Sequence, residues 1–68
     1  MKISARNQIK GKIMEVHKGQ TTGHVLIDIG NGVIVFSSIT NEAIDEMGLK
    51  VGDQAVAIIK ASDVMIGK

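Results

Sequence analysis

The sequence predicts a mainly β domain: a five-stranded, OB-like small barrel with one short helix, assembled as an oligomer. Three observations carry that expectation. Short connections join patterned segments in the order strand, strand, strand, helix, strand, strand. Two of the strands are apolar on both faces, which suits strands covered from both sides. The chain has 68 residues and no cysteine. A chain of this size buries only roughly 60% of its unfolded surface alone. It has no disulfide with which to compensate, so self-association is the remaining source of core. Residues 1–68 read as a single domain, without linker, repeat or low-complexity tract.

The elements follow in chain order. Ile9, Gly11 and Ile13 alternate with Lys10 and Lys12, the period of a strand with one buried face. Met14 and Val16 then shift the apolar parity, the mark of a bulge or a change of partner. Lys18-Gly19-Gln20 reads as a turn. Thr22 to Ile29 forms the second strand, with Val25, Ile27 and Ile29 on one face and His24, Leu26 and Asp28 on the other. Gly30-Asn31-Gly32 accepts positive φ and signals a hairpin. Val33 to Ser38 returns, apolar on both faces from Val33 to Phe36.

Thr40 caps a helix of about two turns. Ile39 and Ile44 stand at the spacing of a hydrophobic staple. Glu42 in the first turn suits the helix dipole. Gly48 supplies a left-handed stop and Leu49 the apolar contact beyond it. Val51-Gly52-Asp53 is a turn, Ala55 to Lys60 a fourth strand and Asp63 to Ile66 a short fifth.

Composition narrows the function classes. Eight Lys and Arg against seven Asp and Glu give a net charge of +1, whereas nucleic-acid binders carry a basic excess. Phe36 is the only aromatic residue, so no platform for stacking bases exists. No apolar run has the length of a membrane span, and the N-terminus lacks an apolar signal core. The expectation is a cytoplasmic protein that binds neither nucleic acid nor membrane.

Nothing in the sequence argues for an enzyme. Without cysteine there is no thiol chemistry and no Cys-based zinc site. His17 and His24 flank a turn and can meet across a hairpin, but lack a third strong ligand nearby. Glu42, Asp45 and Glu46 read as an exposed acidic helix face. Gly30-Asn31-Gly32 is too short to cradle a phosphate.

Two segments do carry binding chemistry. Ser4-Ala5-Arg6-Asn7 precedes the first strand and Lys60-Ala61-Ser62 follows the fourth. Each joins one cation to a hydroxyl, backbone N–H groups and small side chains. That donor set suits a small oxyanion. Arg6 offers a planar fork and Lys60 a compact point charge.

The same segments carry a resemblance. Ser4-Ala5-Arg6-Asn7-Gln8 with Ile9-Lys10-Gly11-Lys12-Ile13 looks like the opening of the molybdate-binding Mop domain. Gly48-Leu49-Lys50-Val51-Gly52-Asp53 resembles its post-helix segment, and Ala57 through Ile66 its closing motif. Over essentially its whole length the chain resembles the molbindins, free-standing Mop-type proteins of the TOBE domain family. The resemblance implies molybdate or tungstate bound at subunit interfaces for storage or homeostasis, without catalysis. It implies an OB-like barrel and a hexamer built as a trimer of dimers. Position by position, Ser4, Ala5 and Arg6 match the first binding segment and Lys60, Ala61 and Ser62 the second. Asn7 belongs to the motif and joins the expected anion-binding set, either as a ligand or in a structural role. Family hexamers carry a second class of site, for which the loop from Gly19 to Thr22 is the candidate.

The implied ligand has a physical logic. Molybdate and tungstate are tetrahedral dianions with acceptor oxygens only. Hydrogen phosphate carries a proton, and leaving it unpaired in a donor-only pocket costs about 1–3 kcal/mol. Sulfate must be excluded by size. Asp63 is the obstacle, because a carboxylate in the pocket would spoil this selectivity. Strand alternation would turn Asp63 outward if Ser62 faces inward. The alternative function is an OB-like interaction module for a protein or an oligonucleotide.

Overall fold

A computed structural model describes residues 1–68. Strands β1 (Asn7–Lys18), β2 (Thr22–Gly30) and β3 (Val33–Thr40) form an antiparallel meander. Helix α1 (Asn41–Met47) follows, and strand β4 (Gln54–Ile59) returns to pair with β1. The sheet order is β3-β2-β1-β4. The domain is therefore mainly β with one short helix, as the patterning predicts.

The long first strand explains the parity shift at Met14. Its N-terminal half, Asn7 to Lys12, pairs with β4, and its C-terminal part, Lys12 to Lys18, pairs with β2. The register slips between Ile13 and Glu15. Both a bulge and a change of partner occur, and the extra residue bends the strand. Backbone bonds at 2.8 Å from Ile13 N to the Asp53 carbonyl and from Gly52 N to the Ile13 carbonyl hold the turn before β4 against the bend. Gly11 makes the approach of β2 possible. A Cβ there would lie 2.6 Å from Ile27 Cγ2 and 2.7 Å from the Asp28 carbonyl oxygen.

Local signals in the sequence are realised in detail. Asn31 and Gly32 have φ of 55° and 75°, between the ladder partners Gly30 and Val33, as a two-residue hairpin loop requires. Thr40 Oγ1 accepts from Ala43 N at 3.0 Å. Gly48 is left-handed, and Leu49 N donates to the Ile44 carbonyl at 3.1 Å, which closes the helix with a Schellman turn. Ile44 lies in the core, and Ile39 and Leu49 pack against it.

Two expectations change. The fifth strand is absent: Ala61–Asp63 is a 3-10 turn, and Val64 to Ile66 join no ladder. A strand exists only with a hydrogen-bonding partner, and within one chain none reaches this segment. The sheet is accordingly four-stranded and open, not a closed five-stranded barrel. Its core is small: five apolar side chains, Ile13, Val25, Ile27, Ile44 and Ala57, are buried. Large apolar residues remain outside, including Val33, Ile34, Phe36 (61% exposed), Val56, Ile58 and Ile66 (90% exposed). No helix is long and apolar enough to cross a membrane.

Candidate functional site

The β1–β4 ladder brings the two donor segments together from opposite ends of the sequence. Its last pair is Asn7 with Ile59. Arg6 precedes Asn7 and Lys60 follows Ile59, so both cations stand one step beyond that pair. Paired backbones lie only about 4.8 Å apart. The Asn7 side chain reinforces the junction, its Nδ2 donating to the Ile59 carbonyl at 3.1 Å. Asn7 thus ties the ends of β1 and β4 together. Gln8 Nε2 donates to the Ala5 carbonyl at 3.1 Å and ties the N-terminal arm down.

Beyond β4 the chain stays extended at Lys60 and coils into the 3-10 turn. Asp63 N donates to the Lys60 carbonyl at 2.8 Å and Val64 N to the Ala61 carbonyl at 3.3 Å. The amides of Ala61 and Ser62 donate to no group in the chain, as befits the first residues of such a turn. Ser4, Arg6, Lys60, Ala61 and Ser62 are exposed, while Ala5 and Asn7 are half-buried.

The electrostatics are one-sided. The chain holds a single ion pair, Lys18 with Asp45. Arg6 and Lys60 therefore have no carboxylate partner. Asp63 forms no ion pair with either cation. The argument from strand alternation does not apply, because Ser62 and Asp63 belong to a 3-10 turn of about three residues per turn. The site offers a guanidinium, an ammonium, two hydroxyls and two free amides: donors to an anion, with neither cation already occupied.

The remaining candidates separate from this site. His17 and His24 are ladder partners across the β1–β2 hairpin. With Gly19, Gln20, Thr21, Thr22 and Gly23 they line an open cavity of about 400 Å³, which includes the loop from Gly19 to Thr22. No group of three or more His, Cys, Asp or Glu side chains is arranged to hold a metal. The helix acids Glu42, Asp45 and Glu46 are exposed. A larger cavity, about 560 Å³, is mostly apolar, with Met1, Ile39, Met47, Leu49, Val56 and Ile58 in its lining. It opens where the sheet fails to close between β3 and β4, a feature the strand-by-strand reading of the sequence missed.

Comparison with known proteins yields a consistent set of matches. Residues 3–66 match the family model described as the TOBE domain. The chain is 49% identical over 67 residues to a probable molybdenum-pterin-binding protein of Haemophilus influenzae, covering 98% of this chain and 97% of that one. Among solved structures, MopII from Clostridium pasteurianum is 40% identical with a TM-score of 0.91, covering 98% of this chain and all of the other. A molybdate-binding protein from Sporomusa ovata is 29% identical with a TM-score of 0.93 over the full length of both chains.

Proposed function

The chain belongs to the TOBE domain family, and from that premise we propose that it is a molybdate-binding protein. In this reading molybdate, or tungstate as its near-isostere, is held by Ser4, Ala5 and Arg6 together with Lys60, Ala61 and Ser62, and Asn7 positions the two segments. The protein stores or buffers the oxyanion in the cytoplasm and catalyses no reaction.

One observation carries the reading most directly: the two cations that the β1–β4 register brings together have no carboxylate partner. Free amides at Ala61 and Ser62 and hydroxyls at Ser4 and Ser62 extend the donor set. A proton-free dianion satisfies donors of this kind through charge-assisted bonds. The names of similar proteins, among them a molybdate-binding protein, support the same ligand.

Self-association completes the proposal. The donor residues are almost all exposed in one chain, and charge-assisted bonds strengthen where water is excluded. A second copy placed over this end of the sheet would supply that exclusion. It would also cover apolar side chains such as Phe36 and Ile58. A hexamer assembled as a trimer of dimers is the arrangement proposed.

Titration calorimetry with molybdate, tungstate, sulfate and phosphate tests the function. Binding of the first two with discrimination of about tenfold or more against phosphate is the expected result, given the cost of an unpaired proton. The absence of molybdate heat, or equally tight sulfate binding, would overturn it.

A further inference from the structure

We propose that His17 and His24 form a second, cationic site: a two-imidazole chelate for a divalent transition ion of the zinc, copper and nickel class. This inference does not rest on molybdate binding, and it gives the cavity that holds the Gly19–Thr22 loop to a cation in place of the second oxyanion class expected there. The two residues are directly opposed in the β1–β2 ladder. Directly opposed residues share a face, with Cβ atoms about 4.5–5.5 Å apart. Two imidazoles at that separation are able to grip one ion between them, and neutral imidazole suits these metals.

The surroundings favour a cation of that class. Both rings are exposed at an open cavity lined also by Gln20, Thr21 and Thr22, so water can complete the coordination shell. The lining contains no carboxylate, which disfavours calcium and magnesium. Glu15 pairs with Leu26, the next same-face position along the ladder, and contributes a nearby negative charge. Lys18 pairs with Gly23 on the opposite face, and its ammonium is engaged by Asp45.

The hairpin is held in place. Asn41 N donates to the Thr21 carbonyl at 2.9 Å, and Asn41 Nδ2 to the Gly19 carbonyl at 2.9 Å. The His24 ring packs against Phe36 of β3 with centroids 4.7 Å apart, a contact it gives up on turning toward His17 of β1. No third protein ligand joins the pair, so the site leaves open positions on the ion and exchanges metal readily.

The test uses the intact protein. Calorimetric titration with Zn²⁺ gives the affinity, and paramagnetic broadening of amide resonances by Cu²⁺ gives the location. Broadening centred on residues 17–24 is expected, with an ion for each chain. Even outer-shell partners of metal ligands are worth about 10–100-fold in affinity. His17→Ala and His24→Ala should therefore each weaken Zn²⁺ binding at least about tenfold. His24→Gln, which preserves more of the contact with Phe36, guards against a packing effect. Acidification should release the ion, since protonated imidazole cannot coordinate. Affinity unchanged in either alanine variant, or broadening centred elsewhere, would overturn the proposal. Molybdate heats in the same variants keep its failure distinguishable from failure of the oxyanion site.

Discussion

Asn7 and Ile59 are joined twice, as partners in the β1–β4 ladder and through the Asn7 side-chain amide, which donates to the Ile59 carbonyl at 3.1 Å. This junction holds Arg6 and Lys60 at adjacent positions. Removing the side-chain bond loosens the junction without removing a donor to the anion. A hydrogen bond of this kind contributes about 0.5–1.5 kcal/mol. Asn7→Ala should therefore weaken molybdate binding by about threefold to tenfold in calorimetry, with little change in the circular dichroism spectrum.

The cations themselves should matter more. Hydrogen bonds to charged groups are worth about 1.5–3 kcal/mol. Lys60→Ala and Arg6→Ala should each reduce molybdate affinity by about 10-fold to 100-fold while the oligomer stays assembled. Arg6→Lys should recover only part of the loss, because an ammonium lacks the planar fork. Unchanged affinity in Lys60→Ala would mean the site lies elsewhere.

Gly11 tests the packing that underlies the bend in β1. A Cβ at this position meets Ile27 Cγ2 at 2.6 Å and the Asp28 carbonyl oxygen at 2.7 Å. The carbonyl belongs to the backbone of β2 and cannot rotate away. Overpacking of this kind costs about 1–3 kcal/mol. Gly11→Ala should lower the urea midpoint accordingly.

Sedimentation equilibrium should find a species well above the 7.2 kDa chain mass. Removing residues 64–68 deletes Val64, Met65 and Ile66, which are 47%, 92% and 90% exposed in the single chain. If these side chains are covered by another copy, the truncated protein should dissociate at higher concentration than the full chain. Phe36→Asp should act in the same direction. A full-length chain that sediments as a monomer would remove the proposed interface.

The helix cap offers a local control. Thr40 Oγ1 is the acceptor for Ala43 N, and losing such a cap costs about 0.5–2 kcal/mol. Thr40→Ala should lower thermal stability by that amount without altering molybdate affinity.

What was legible in the sequence was what neighbouring residues decide among themselves. Thr40, Gly48 and the Gly30-Asn31-Gly32 loop each specify their geometry within a few positions, and each appears as expected. The segment from Asp63 to Ile66 has apolar residues and extended character, yet a strand also needs a partner, and no pattern within four residues supplies one. The strand-alternation argument for Asp63 loses its basis for the same reason, since it assumed that strand. The donor segments were visible as chemistry, but 52 positions separate Asn7 from Ile59. Spacing alone says nothing about their meeting; the resemblance to the molbindins implies a shared site within one chain or between two, and the ladder register joins the ends of the two segments in one chain.

The divided pairing of β1 also sets an order of assembly. Its C-terminal part joins β2 and β3 through short turns, contacts that form at low entropic cost. Its N-terminal half must wait for β4, which arrives only after the meander, the helix and a further turn have been traversed. Non-local pairings of this kind form late. The proposed oxyanion site should then be the last part of the fold to be completed. Hydrogen exchange at the β1–β4 ladder should slow when anion is bound, because a ligand that binds only the docked state stabilises docking by mass action.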